Sequence, residues 1–106
     1  MVKQGNIYWV ILDPTVGSEV QETRPCLIIS PDEMNQWLRT VSVAPLTSQG
    51  SPAPFRIRIK TREKAGFVLL DQIRTVDKGR LTQQFGALGT PTLLKILTAL
   101  QEMFKP

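Results

Sequence analysis

The chain has 106 residues, 42% from the apolar set and 21% charged, the balance of one soluble globular domain and not of a disordered or fibrous chain. Thirteen Lys and Arg against nine Asp and Glu leave a formal charge of +4, which suits a polyanionic partner without requiring one. There is no histidine and a single cysteine, so zinc fingers, thiol–imidazole pairs, Ser-His-Asp triads and an internal disulfide all lack the residues they need.

Met1 to Gly5 carries one cation and no apolar block of signal-peptide length follows. The longest apolar run, Ile7 to Leu12, is far short of the ~20 residues a membrane helix needs. With no repeat, no low-complexity tract and no Gly/Ser linker, the expectation is one domain over residues 1–106, cytoplasmic, with no membrane association.

Ile7 to Leu12 is rich in β-formers and stops at the turn signal Asp13-Pro14. A loop from Pro14 to Thr23 follows, long for a small domain and therefore a candidate for function. Pro25 to Ile29 is a continuous apolar run, suited to a strand buried on both faces. Ser30-Pro31-Asp32-Glu33 reads as an N-cap, a first-turn proline and two acids, hence a short helix to about Trp37.

Thr40 to Ala44 alternates and ends at Pro45, and Ser48 to Pro54 is a Gly/Pro/Ser loop. Phe55 to Lys60 alternates with period two, and Gly66 to Asp71 predicts another buried strand. Asp77 to Arg80 predicts a turn and Leu81 to Leu88 a weak strand. Strands arriving about every dozen residues point to a small barrel. Beyond Thr90-Pro91, read as N-cap and first helical residue, Leu93, Leu97, Leu100 and Phe104 form a helical stripe widened by Leu94, Ile96 and Met103. That helix, about fourteen residues and ~21 Å long, must dock on the barrel or on a second subunit.

Several residues could carry chemistry. Arg24 precedes Pro25, which biases it toward extended backbone and puts its guanidinium on a stiff strand entrance. A surface ion pair with Glu19 or Glu22 explains it equally well. Thr47, Ser48 and Gln49 offer two hydroxyls and an amide to a phosphate or base edge, although Ser and Thr also cap their own backbone in turns. Arg56, Arg58, Lys60, Arg62 and Lys64 form either a phosphate-tracking stripe or an edge strand protected by charge, the second being favoured slightly. Asp71-Gln72-Ile73-Arg74 can line a pocket or form a local ion pair. Tyr8, Trp9 and Trp37 could stack on bases, but Tyr8 and Trp9 sit in an apolar strand and read as core. Cys26 reads as a buried small hydrophobe.

In order along the chain come Gly5 to Val10, Asp13 to Glu19, Thr23 to Asp32, Val43 to Ser48 and Leu70 to Lys78. Together these blocks closely resemble the MazF/PemK family of toxin endoribonucleases, and they cover nearly the whole chain. The resemblance implies a mainly β fold: a small SH3-like β-barrel (CcdB/PemK-like) with a short helix and a C-terminal α-helix, assembled as a homodimer. It implies cleavage of single-stranded RNA without metal or cofactor, at short sequence sites. It also implies inhibition by an antitoxin whose acidic, disordered tail covers the groove, and operator DNA binding only together with that antitoxin.

The family's catalytic arginine and threonine map to Arg24 and Thr47, and its supporting glutamate to Glu19. The aspartate of its Asp-Gln motif maps to Asp71, and Ser18, Ser48, Gln49, Gln72 and Arg74 are expected at the RNA with it. Two departures stand out. Many members have a Gly-Gly pair between that glutamate and arginine, where this chain has Val20-Gln21-Glu22 and a stiffer, more acidic loop. The PemK branch has an arginine two residues before the aspartate, where this chain has Leu69.

Metal-free RNA cleavage needs a deprotonated 2′-OH, charge stabilisation on the phosphorane and a proton for the leaving 5′-oxygen. Without histidine, Arg24 is expected as stabiliser and candidate acid, Thr47 as phosphate positioner, and Glu19 as base or orienter of Arg24. The competing readings are a CcdB-like toxin that poisons DNA gyrase by protein contact and a decayed member that only binds its antitoxin.

Overall fold

The computed structural model describes residues 1–19, 22–61 and 64–106. Seven strands form one antiparallel sheet: β1 (Asn6–Ile11), β2 (Thr23–Ile28), β3 (Thr40–Thr47), β4 (Arg56–Thr61), β5 (Lys64–Leu69), β6 (Arg74–Asp77) and β7 (Leu81–Ala87). The spatial order is β4-β5-β3-β2-β1-β7, with β6 also on β3; the sheet curls into a half-barrel, and the described chain measures 33 × 31 × 29 Å. Helix α1 (Asp32–Trp37) joins β2 to β3, and α2 (Thr90–Phe104) ends the chain. The expected mainly β, SH3-like architecture with a short and a C-terminal helix is the one observed.

The continuous apolar run in β2 is buried on both faces, as its lack of alternation predicts. Leu27 enters one core cluster with Ile7, Ala44, Leu46, Val68 and Ile96 of α2. Its neighbours Cys26 and Ile28 enter a second cluster with Val10, Leu12, Val41, Val43 and Val76. β4 alternates as predicted: Ile59 is buried while Arg58 and Lys60 are exposed. Arg62 lies outside the described residues, as does the Lys64 side chain.

Several boundaries differ from expectation for identifiable reasons. β3 does not stop at Pro45 but runs to Thr47. β3 pairs with β6 up to Val43 and with β5 from Leu46, so Pro45 falls in the gap between those partners, where its missing N–H costs no ladder bond. Ser30 is not an N-cap. Pro31 holds that position, while Ser30 is buried, its Oγ donating to Asn35 Oδ1 (2.5 Å) and accepting from the Ser42 N–H (3.1 Å). Gly89, not Thr90, caps α2.

The apolar stripe of α2 is also rotated. Ile96 is its fully buried residue, with Ala99, Leu100 and Met103 packed on the same cluster, whereas Leu94 and Phe104 are 56% and 73% exposed. The predicted strand Gly66 to Asp71 ends at Leu69, and Leu70–Gln72 forms a 3₁₀ turn that lifts Asp71 off the ladder. β6, only four residues long, is too short to register as a periodic pattern. The turn at Lys78–Arg80 is present, closed by the Gly79 N–H donating to Asp77 Oδ2 at 2.7 Å. No helix among the described residues is long and apolar enough to cross a membrane.

Candidate active site

Two adjoining clefts divide the residues singled out from sequence. The first, about 290 Å³, is lined by Arg24, Pro25, Thr47 and Ser48 with Trp9, Phe85, Ile59 and Gly66. Arg24 belongs to β2, abreast of Val10 on β1, and Thr47 is the last residue of β3. The β2–β3 ladder ends at Cys26–Pro45, two positions short of Arg24 and Thr47, and both residues line the first cleft. A guanidinium and a hydroxyl from two separate loop–strand junctions therefore open into one space.

Local chemistry prepares the hydroxyl. The Gln49 N–H donates to Thr47 Oγ1 (3.2 Å), so the turn occupies an acceptor site of the oxygen and leaves its O–H to serve as a donor. Gln49 thus contributes its backbone amide to Thr47, and its side chain lines neither cleft. The aromatic wall departs from the sequence expectation. Trp9 is half-buried, not core, and meets Phe85 edge-on with ring centroids 5.4 Å apart at 88°. Tyr8 is likewise half-buried, against the second core cluster, and Trp37 is 77% exposed on α1. Gly66 gave no sequence signal as a site residue; only the close crossing of β5 under β3 reveals it.

The second cleft, about 430 Å³, is lined by Ser18, Glu19, Pro45, Asp71, Gln72, Ile73 and Arg74. Glu19 stands here and not in the Arg24 cleft, its Oε1 accepting from the Val16 N–H at 2.7 Å. Asp71 is gripped by Arg56, whose Nε and Nη2 reach its two oxygens at 3.2 and 2.9 Å. Those hydrogen bonds hold the Asp71 carboxyl below the usual carboxylate range. Arg56 is the cross-strand partner of Leu69. A guanidinium thus meets Asp71 from the neighbouring strand, although position 69 itself carries none.

The two clefts meet along β3, where Pro45 lines one and Leu46 and Thr47 the other. Cys26 lies between them. Burial pushes its thiol up to about 12, against the pull of Arg74 and Arg24, whose positive charges both reach it. The loop carrying Ser18 and Glu19 is fastened at its base. Arg74 Nη1 donates to the Leu12 carbonyl (3.0 Å), and Arg80 Nη1 donates to the carbonyls of Ile11 (3.0 Å) and Asp13. Across the base, the Glu22 N–H donates to Asp13 Oδ1 (2.9 Å) and the Leu12 N–H to the Glu22 carbonyl (3.1 Å). Among the described residues no three His, Cys, Asp or Glu side chains gather as a metal site.

The first cleft thus gathers a guanidinium, a hydroxyl and an aromatic wall on one face of the curled β-sheet. Residues 3–104 match the PemK-like, MazF-like toxin of type II toxin-antitoxin system, and the chain belongs to that family. It is 38% identical to "Endoribonuclease EndoA" of Bacillus subtilis over 95% of this chain and 92% of that protein. It is 34% identical to "Endoribonuclease MazF" of Staphylococcus epidermidis over 94% of this chain and 88% of that one. The crystal structure of MazF from Deinococcus radiodurans superposes with a TM-score of 0.83 at 25% identity, covering 96% of this chain and 94% of that one. A mycobacterial endoribonuclease in complex with its cognate antitoxin superposes at 0.81, also at 25% identity, over 96% and 93%.

Proposed function

We propose that this chain is a metal-independent endoribonuclease that cleaves single-stranded RNA at short sequence sites, acting as the toxin of a type II toxin-antitoxin pair. The observation that carries the reading is the shared cleft of Arg24 and Thr47, in a chain related to proteins named endoribonucleases. The 2′-oxygen attacks phosphorus, the bond from phosphorus to the 5′-oxygen breaks, and the products are a 2′,3′-cyclic phosphate and a 5′-OH. Arg24 grips nonbridging oxygens and neutralises the charge that develops on them, a contribution worth about 10²–10³ in rate. In this reading it also donates the proton that the leaving oxygen takes up. Thr47 donates its O–H to a nonbridging oxygen. Glu19, in the adjoining cleft, takes the 2′-OH proton or orders Arg24.

Ser48 extends the first cleft, and Ser18, Asp71, Gln72 and Arg74 offer the second to flanking nucleotides. Base choice then belongs to the fastened loop and to the 3₁₀ turn. A homodimer would cover the exposed apolar residues Leu94 and Phe104 of α2. A cognate antitoxin with an acidic, disordered tail is the expected inhibitor, since it carries the same charge as RNA, and operator DNA is contacted only with it. The site of action is the cytoplasm, where transcripts are.

The test is incubation of purified protein with single-stranded RNA in excess EDTA, followed by analysis of fragment ends. Fragments with 5′-OH ends are expected, and Arg24→Ala should abolish them while leaving the circular dichroism spectrum unchanged. Glu19→Gln should cost less than Arg24→Ala. A folded Arg24→Ala protein that still cleaves would remove the proposed mechanism, and arrest of DNA gyrase without RNA cleavage would replace the activity altogether.

A further inference from the structure

We infer that a third cleft, framed by Arg58, Lys60 and Lys95, is a phosphate-binding subsite that holds the RNA backbone beyond the scissile linkage. The inference rests on the RNA-cleaving reading and extends it to residues that reading does not use. The cleft measures about 380 Å³, lies between β4 and α2, and includes Thr92. Strand alternation builds one wall: with Ile59 turned into the core, Arg58 and Lys60 face solvent ~6.6 Å apart along the strand. The helix builds the other, because Ile96 is its buried anchor and Lys95 is carried beside it to the flank.

Lys60 and Lys95 are thirty-five residues apart in sequence, and the three cations meet only when α2 docks. None of them has a hydrogen-bond or ion-pair partner among the described residues. Other cations are occupied: Arg56 on Asp71, Lys105 on Glu102, and Arg74 and Arg80 on backbone carbonyls. Protection of an edge strand accounts for charge on β4, which ends the sheet order, but not for Lys95 on a helix.

Position selects the ligand. Ile59 and Ala65 line both this cleft and the Arg24–Thr47 cleft, so the two adjoin. An aromatic wall leading into a track of cations is the combination that binds single strands, bases stacking on one part while phosphates follow the other. Two of the three cations are lysines, point charges on flexible stems that can follow successive phosphates.

The experiment uses single-stranded 2′-O-methyl RNA, which cannot be cleaved, in lengths of about 4 and about 12 nucleotides, bracketing common site sizes. Affinity is measured against salt for the wild type and for Arg58→Gln/Lys60→Gln/Lys95→Gln. A control, Lys3→Gln/Arg39→Gln/Lys105→Gln, removes the same charge elsewhere. The long oligomer should bind about tenfold more weakly to the cleft variant near 0.1 M salt, with a log–log salt slope smaller by about 2. The short oligomer and the control should behave as wild type. All six positions are exposed, so circular dichroism should show both variants folded as wild type. An unchanged slope, an equal loss in the control, or a loss confined to an Asp/Glu-rich peptide would overturn the subsite. If the wild type cleaves RNA in EDTA while the cleft variant binds as it does, only the subsite fails; absence of wild-type cleavage ends both.

Discussion

Gly66 of β5 passes so close beneath β3 that a Cβ on it would stand 2.7 Å from the Thr47 carbonyl oxygen. The obstacle is backbone, so no rotamer can relieve it. Phe67, the next residue, is the ladder partner of Thr47, and a side chain at 66 would therefore push the two strands apart at the mouth of the first cleft. Gly66→Ala should cost about 1–3 kcal/mol in urea unfolding, the usual penalty for overpacking. Because Thr47 moves with its backbone, RNA cleavage should fall by about 10², the scale expected when a positioned group shifts by an ångström. Wild-type stability and rate together would show that β3 yields there without consequence.

Arg80 holds the base of the Ser18–Glu19 loop by donating to the carbonyls of Ile11 and Asp13. It touches neither cleft, which makes it a positioning residue. Arg80→Ala should lower stability by roughly 1 kcal/mol, and faster hydrogen exchange should appear at residues 14–19 and not in the core strands. If the loop sets base choice, KM and site preference should change more than kcat does. Arg80→Lys should recover part of the loss, since an ammonium can still donate to one carbonyl. Unchanged exchange in the loop would show that the Asp13–Glu22 contacts suffice to hold it.

What the sequence made legible follows from which forces act locally. Alternation in β4, the unbroken apolar run of β2 and the amphipathic C-terminal helix are local patterns, and each element forms where expected, although the buried face of the helix is rotated toward Ile96. Long-range placements were hidden. Arg56 reaches Asp71 because β4 and β5 pair in one register, and no spacing along the chain encodes that. Glu19 separates from Arg24 into a neighbouring cleft because its own loop turns back on Val16. Trp9 looked like core because its strand is apolar on both sides, yet one flank of β1 opens beside Arg24. The Ser30 cap failed because burial against Ser42 and Asn35 outweighs a cap on a six-residue helix.

Cys26 gives the fold a pH dependence of known sign. Burial lifts its thiol to about 12, whereas in the unfolded chain it ionises near its ordinary value of 9.0. Below pH 8 both states hold the proton and the group adds no slope. Above that the unfolded chain loses the proton first, so stability falls by up to ~1.4 kcal/mol per pH unit until the folded thiol also ionises. Between pH 7.5 and 10.5 the wild type should therefore lose about 2 kcal/mol more than Cys26→Ala in urea unfolding. The same burial predicts that a thiol reagent at pH 8 reacts only after denaturation. Parallel pH profiles for the two proteins would mean that the folded thiol ionises normally.

Trp9 is the natural reporter of an occupied first cleft. The chain has one other tryptophan, Trp37, which is 77% exposed on α1 and lines a different surface, so Trp37→Phe leaves a single emitter at the site. A nucleobase entering beside Arg24 would meet the indole, already oriented by its edge-on contact with Phe85. Uncleavable single-stranded RNA should quench Trp9 emission at the concentrations where it binds. Base–aromatic stacking is worth about 1–3 kcal/mol, so Trp9→Ala should weaken binding by about 5- to 150-fold, with Trp9→Phe recovering most of it. The strand itself survives either change, because the ladder uses the Trp9 backbone, which also accepts from Thr82 Oγ1 at 3.2 Å. Saturating RNA that leaves both the emission and the Trp9→Ala affinity unaltered would reduce this side chain to a packing role and move the bases to the second cleft.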